Sequence, residues 1–263
     1  SSRLIIAAII LYIYFKFKKL SFNLDNKTIF IIILIGTLGN FIPFLFISWS
    51  EQYIKSNTTG LLMSIGPIFA IILAHYLTKD DKFTYRKFLT TIVGLFGVIL
   101  IIGFDSIRGV FTNNYLLLIP KLTVIIAVLG YVISSIIAYN LKKVDTITLT
   151  TLVTISAAII SFPFMLYNEI YFYSKPSLNS IFALIYLGIF PTAFAFLIRF
   201  YIISKAGPIY LSYVSYLIPG FAIIWGYIFL NESISIQSLA GLLFILIGIY
   251  ISQKNINEKN THL

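Results

Sequence analysis

Read by its apolar and polar positions, the chain is a series of long apolar runs cut by short polar breaks. Nine runs stand out: Leu4–Phe15, Thr28–Ser50, Asn57–Leu77, Phe88–Phe104, Tyr115–Asn140, Thr146–Tyr167, Ile181–Ile203, Pro208–Leu230 and Ile236–Ser252. All but the first have the length at which a helix crosses a hydrocarbon core about 30 Å thick, near 20 residues. The first is short and closed by Lys16, Lys18 and Lys19, and no initiator Met precedes it. A signal peptide lacks such a basic cluster on its far side. The run is therefore read as a span whose start lies at or before residue 1. The pattern predicts an all-α integral membrane protein with about nine transmembrane helices in this chain.

Two stretches share one plan. Shifting the chain by 152 places Gly36 on Gly188, Pro67 on Pro219 and Asp80 on Glu232. Shifting by 151 places Thr84 on Ser235 and Gly97 on Gly248. The expected layout is a first repeat over 1–104, a second over 115–252, and a tail over 253–263. Gly66-Pro67 and Pro219-Gly220 both interrupt apolar runs. Such breaks survive in lipid only where neighbouring helices or a wet cavity satisfy the freed backbone groups. Paired interruptions in corresponding halves point to a transporter's binding site. A simple kink that helps packing is the plainer reading of both prolines.

Composition narrows the class. With 59% apolar residues, 11% charged residues and mean hydropathy +0.96, a soluble domain is excluded, since those are about a quarter charged. The chain has no cysteine, so disulfides, thiolate metal sites and cysteine nucleophiles are excluded together. The net charge of +10 does not imply nucleic acid, because the basic residues collect in short breaks between runs. One side gathers the clusters at 16–19, 27, 79–87, 142–143 and 205 with Lys254 and Lys259. The other has only Arg3, Lys55, Arg108 and Lys175. The richer side is cytoplasmic by the positive-inside rule. The chain is expected in the cell membrane as a multi-pass protein, in a bacterial plasma membrane, with a cytoplasmic C-terminus. The tail from Gln253 is polar enough to be disordered.

Several segments carry a family resemblance. Trp49-Ser50-Glu51-Gln52-Tyr53-Ile54, then Thr59-Gly60-Leu61-Leu62 and Gly66-Pro67, resemble the third-to-fourth helix signature of the EamA-type drug/metabolite transporters. Phe200-Tyr201-Ile202-Ile203, Leu217-Ile218-Pro219 and Leu230-Asn231-Glu232-Ser233-Ile234-Ser235 resemble its second-repeat counterpart. Gly241 and Gly248 sit where that family has its last-helix glycines, and Arg3 matches the arginine near the start of its second helix. The resemblance covers nearly the whole chain. It implies two inverted repeats of five helices, ten in a complete protein, around a central cavity. Asp80-Asp81 stands where the family usually has Glu.

The cavity candidates are deep polar and aromatic residues. Gly36, Asn40 and Phe44 recur at i, i+4 and i+8, one helix face. Tyr131, Ser134 and Ser135 form a second stripe, and Tyr213, Tyr216 and Gly220 a third beside Pro219. Each stripe alone reads equally as interhelical hydrogen bonding. Trp49 and Trp225 read as cavity residues or interfacial anchors. Arg199 is read as snorkelling to the cytoplasmic boundary, with the cavity as its other place, and Lys121 is read the same way at the outer boundary. Asp80 or Asp81, and Glu232, precede Thr84 and Ser235 and are read as acids supporting helix N-termini. Gly94, Gly97, Gly241 and Gly248 permit close helix contact, within one chain or between two copies.

The leading function is a secondary transporter of small metabolites, amino-acid-like or otherwise amphiphilic, working by alternating access. Its partners are the bilayer and a small-molecule substrate, with a homodimer open, no nucleic acid, no cofactor and no metal. A channel or a non-transporting assembly subunit is one alternative. An intramembrane enzyme is another, although it needs a nucleophile with a base, or paired carboxylates, at depth. All nine Asp and Glu fall in loops, helix ends or the tail, which argues against catalysis and leaves no proton-carrying acid inside the runs.

Overall fold

In the computed structural model, residues 1–111, 115–171, 177–230 and 235–260 are described. Every regular element among them is helical. Among the described residues, seven helices are long and apolar enough to cross a bilayer: Asn26–Ser50, Ser56–Leu77, Tyr85–Ile102, Leu118–Asn140, Thr146–Tyr167, Leu178–Ala206 and Pro208–Phe229. Two shorter apolar helices accompany them, the 16-residue Ser2–Phe17 and the stretch Ile236–Ser252. Side chains such as Phe30, Ile159 and Phe229 stand 66–70% exposed. That is the surface expected where lipid, and not water, is the solvent.

Described residues belong to two compact units, each drawing one segment from either half of the chain. The first joins Ser1–Ile42 with Ile133–Lys205, and the second joins Pro43–Val132 with Ala206–Leu263.

In the first unit, Ala7, Leu11 and Ala193 form a buried cluster, with Ile10 and Leu197 packed on it. Small residues set the spacing, because without a water-driven hydrophobic force helices in lipid associate through close packing. A Cβ on Gly188 would lie 2.5 Å from the side chain of Ile6. The helix Thr146–Tyr171 buries Thr150, Thr151 and Thr154. Each hydroxyl donates to the carbonyl four residues earlier, so the burial leaves no orphan donor.

Two interruptions in this unit are π-helical: Thr37–Phe41 and Ile189–Phe194. Their first residues are 152 apart (189 − 37), the offset that relates Gly36 to Gly188. A π-turn winds one extra residue into the helix and breaks the i→i−4 ladder locally, and such turns concentrate at functional sites.

In the second unit, Ile54, Leu62, Val124 and Val128 form the buried cluster. The helices Tyr85–Ile102 and Ile236–Asn260 meet along glycines. A Cβ on Gly97 would lie 2.6 Å from the Gly241 carbonyl oxygen, and one on Gly241 would lie 2.6 Å from that of Gly97. Gly248 faces Thr90 and Gly94 in the same way, and Gly94 faces the ring of Tyr216. These glycines thus pack helices within one chain. Thr84 accepts from the Lys87 N–H at 3.3 Å and Ser235 from the Ser238 N–H at 3.0 Å, each capping the helix that follows it.

Two expectations are corrected here. The helix Val214–Leu230 runs through Pro219, and the break lies at Tyr213, between Pro208–Ser212 and Val214–Leu230. Proline disturbs the turn before it, by removing one hydrogen bond and crowding the carbonyl four residues back. Pro67, by contrast, does sit at an interruption, since the span Ser56–Leu77 breaks at Ser64–Ile65. It occupies the first turn of Gly66–Leu77, just after Ser64–Ile65, where its missing N–H costs nothing. Last, Gln253–Asn260 continues the final helix instead of forming an irregular tail. Extending an existing helix needs no new nucleus, and Gln, Lys and Glu are good helix formers.

Candidate functional site

Arg199 organises the polar interior of the first unit. It is carried by Ala195–Ala206, directly after the second π-turn. Its Nη1 donates to the Gly39 carbonyl at 3.0 Å and to Asn40 Oδ1 at 3.1 Å. Its Nη2 donates to Ser134 Oγ at 3.1 Å and Ser135 Oγ at 3.4 Å. Four neutral oxygens from two other helices thus hold both terminal nitrogens of the fork. Guanidinium suits this task because it is planar, permanently charged and rigid in its donor geometry.

The local backbone explains how these oxygens converge. Gly39 and Asn40 lie inside the π-turn Thr37–Phe41, where the disturbed ladder leaves the Gly39 carbonyl able to accept from a side chain. Gly39 also has no room for anything larger, since a Cβ there would collide with Ser134 Oγ and lie 2.7 Å from Ser134 Cβ. Asn40 is 14 residues from the start of Asn26–Ser50 and 10 from its end. At about 1.5 Å per residue it is some 15 Å or more from either end, so this cluster is at membrane depth. Asn40, Ser134 and Ser135 are buried, at 0%, 0% and 4% exposure. The Asn40 Nδ2 donor meets no acceptor.

The second unit has its own buried charge. Asp81, 6% exposed, accepts from Lys87 Nζ at 2.6 Å through Oδ1. Its Oδ2 accepts from the Ile209 N–H at 3.0 Å. Thr78 Oγ1 donates to the Asp81 carbonyl at 3.1 Å and accepts from the Asp81 N–H at 3.2 Å, which fixes the loop around the carboxylate. Gly207, at φ +91°, gives the carboxylate its space.

The sequence-derived candidates divide between these groups. Asn40, Ser134, Ser135 and Arg199 come together. Phe44 and Tyr131 belong to the second unit and are half-buried. Pro67 and Pro219 are buried in the second unit as well. Tyr213 and Tyr216 are buried and donate to backbone carbonyls, of Lys87 at 3.2 Å and Thr91 at 3.1 Å. Their hydroxyls hold the helix Tyr85–Ile102. Arg3 lies on Ser2–Phe17, whose Ile6 and Arg3 carbonyl flank Gly188. Asp80 is exposed, and Glu232 lies outside the described residues.

Four readings change. Arg199 does not snorkel: its guanidinium is turned into the protein by oxygens that position along the helix cannot reveal. Lys121 does not snorkel either, being 7% exposed with Nζ donating to the Val110 carbonyl at 2.9 Å. Gly36 and Asn40 do not share a partner, because the π-turn between them shifts the phase. A Cβ on Gly36 would collide with Ser156 Oγ, while Asn40 meets Arg199. Asp81 supports the helix that begins at Pro208 instead of the one that follows it in sequence. Sequence reasoning missed Gly39, whose signal was a glycine directly before a polar residue in an apolar run, and Lys87 as the partner of Asp81.

Comparison with known proteins places these observations. A family model described as the EamA-like transporter family matches residues 1–103 and 117–253. A Bacillus subtilis protein named uncharacterized transporter YoaV is 24% identical over 257 residues, covering 95% of this chain and 84% of its own length. An uncharacterized transporter of Archaeoglobus fulgidus is 27% identical over 219 residues, covering 82% of this chain and 75% of its own. A solved structure, described only as the crystal structure of a protein, superposes with a TM-score of 0.80. It covers 98% of this chain and 86% of its own at 16% identity, a likeness of fold.

Proposed function

We propose a function from one premise: this chain belongs to the EamA-like transporter family. It is a multi-pass membrane protein, and its kinship is with transporters and not with enzymes. Our reading is a secondary carrier that moves small amphiphilic metabolites, amino-acid-like in size, by alternating access through a central cavity. The two-repeat layout, ten helices in a complete protein and a cytoplasmic C-terminus belong to the same reading. The paired π-turns, 152 residues apart, favour the repeat. No cofactor is required, and self-association is a property that sedimentation in detergent measures.

The observation that carries the reading is the Arg199 cluster. An ionisable group at membrane depth is costly and marks a substrate or ion path by default. Here the protein spends a π-turn, a glycine and two adjacent serines on holding one guanidinium in place. The mechanism that follows is a polar station within an apolar conduit, visited by solute from alternate sides.

Counterflow in proteoliposomes tests it. Liposomes loaded with unlabelled amino acids and small organic acids should accelerate uptake of the labelled solute, with saturation. Flux that rises linearly with concentration and shows no acceleration indicates a channel and overturns the carrier reading.

A further inference from the structure

We propose that the groove between Ser56–Leu77 and Tyr85–Ile102 is a lipid site. It takes one acyl chain of an anionic phospholipid, with the phosphate at Lys79 and Lys82. The inference goes beyond the carrier reading and does not depend on it.

The groove holds about 380 Å3 and lies wholly within the second unit, inside the range of about 300–1,000 Å3 for small-molecule pockets. Ile68, Ile72 and His75 form one wall at i, i+4 and i+7, a single helix face. Phe88 and Ile92, one turn apart on the next helix, form the other. Thr91 turns its hydroxyl to the Lys87 carbonyl at 3.0 Å, so beyond His75 the walls are apolar. Ile72, Phe88 and Ile92 are exposed, so the groove opens at the surface, where a lipid enters from the side. From His75 to Ile68 it runs about 10 Å at about 1.5 Å per residue. That length fits within one leaflet of a core about 30 Å thick.

A basic loop closes one end of the groove. Phe83 bridges the two helices there, its ring centroid 6.4 Å from that of His75 and 6.2 Å from that of Phe88. Its N–H donates to His75 Nδ1 at 3.3 Å, which ties the loop to the wall. Lys82 Nζ donates to the His75 carbonyl at 2.7 Å, which fixes a cation at this end. A carbonyl leaves that charge intact, and an ammonium has two further protons to give. Lys87 donates to the Lys82 carbonyl at 2.7 Å, besides pairing with Asp81, so the loop keeps its shape. Lys79, also exposed, adds a second positive charge. Asp80 and Arg86, of opposite sign, leave the balance with these two lysines. Exposed Tyr76 and Tyr85 flank the loop, and such rings settle at headgroup level.

Each feature selects the occupant. An apolar slot one leaflet deep fits a hydrocarbon chain, and lysines at its headgroup end attract an anionic lipid. A second copy of the chain is a poor match. With 19 basic and 9 acidic residues, two copies would bring like charges together at the loop.

Native mass spectrometry of the purified full-length protein in detergent tests this. The probes are palmitoyl-oleoyl phosphatidylglycerol and the phosphatidylcholine with the same chains. Half-saturation by phosphatidylglycerol should come at a concentration at least fivefold lower. In the Lys79→Gln/Lys82→Gln double variant the two lipids should bind alike. Ile72→Trp fills the groove and should weaken phosphatidylglycerol retention at least fivefold, with the unfolding temperature unchanged. Both lysines are exposed, so the double variant decides the matter even where Ile72→Trp fails to fold. Glycerol 3-phosphate at the lipid's concentration should displace none of it.

Equal retention of the two lipids, or a preference that survives the double variant, would overturn the inference. So would displacement by glycerol 3-phosphate alone, or a folded Ile72→Trp that retains phosphatidylglycerol as the native protein does. A lipid-free dimer that Ile72→Trp disrupts would assign the groove to a second copy and overturn it as well.

Discussion

Asp81 and Ile209 stand 128 residues apart in the sequence, and the Asp81 carboxylate accepts the Ile209 backbone N–H at 3.0 Å. The contact joins the break after Ser56–Leu77 to the start of Pro208–Ser212, with Lys87 completing it at 2.6 Å. A charged acceptor on a helix N-terminus is favoured by the orphan N–H groups there. Asp81→Asn should keep the shape and lose the charge, costing about 1–3 kcal/mol. Gly207→Ala should cost a similar ~1–3 kcal/mol for its positive φ, with added crowding of Asp81 Oδ2 at 2.6 Å. Thermal unfolding in detergent measures both.

The glycine seam of the second unit makes a sharper stability prediction. Gly97→Ala and Gly241→Ala each put a methyl group 2.6 Å from a backbone carbonyl. Each should destabilise by about 1–3 kcal/mol, the range for overpacking. Once one substitution has pushed the helices apart, the second meets more room. The double variant should therefore cost less than the sum of the singles, and additive losses would contradict shared contact.

Gly39 and Ser134 offer a compensation test. Gly39→Ala should crowd Ser134, disturb the Arg199 geometry and reduce solute counterflow about tenfold or more, in line with the ~100-fold losses that misplacements of about 1 Å produce. Ser134→Gly in the same chain removes the colliding atoms. The pair should recover packing, read as unfolding temperature, while regaining flux only in part, since one hydroxyl partner of Arg199 is gone.

Topology is checked by single cysteines, for which a chain without native cysteine is already suited. Cysteine replacing Lys143 should label from the cytoplasmic side, and cysteine replacing Lys55 from the outer side. The opposite pattern would reverse the orientation set by the basic clusters.

The spans were legible because a bilayer demands long apolar stretches, and that demand is written residue by residue. Asn40, Ser134 and Ser135 were legible for the converse reason, as polar groups where lipid forbids them. The face that Arg199 presents was not, since position along a helix does not fix rotation about its axis. The π-turns made this harder. Periodicity assumes 3.6 residues per turn, and the extra residue within Thr37–Phe41 separated Gly36 from Asn40 without any sequence mark. The partner of Asp81 was hidden for a different reason. A cap formed across 128 residues leaves no local signature, whereas Thr84 and Ser235 cap within three residues and follow the usual pattern.

Along Gly97 and Gly241 two backbones touch with no side-chain layer between them. Packed helices slide by letting interdigitated side chains change rotamer, and a glycine Cα set directly against a carbonyl oxygen has no such freedom. Tyr85–Ile102 and Ile236–Asn260 are in that sense riveted, and the pair is expected to behave as one stiff beam. On the carrier reading proposed above, bending during a working cycle is expected at joints such as Ser64–Ile65 and Tyr213, where the helices are already broken.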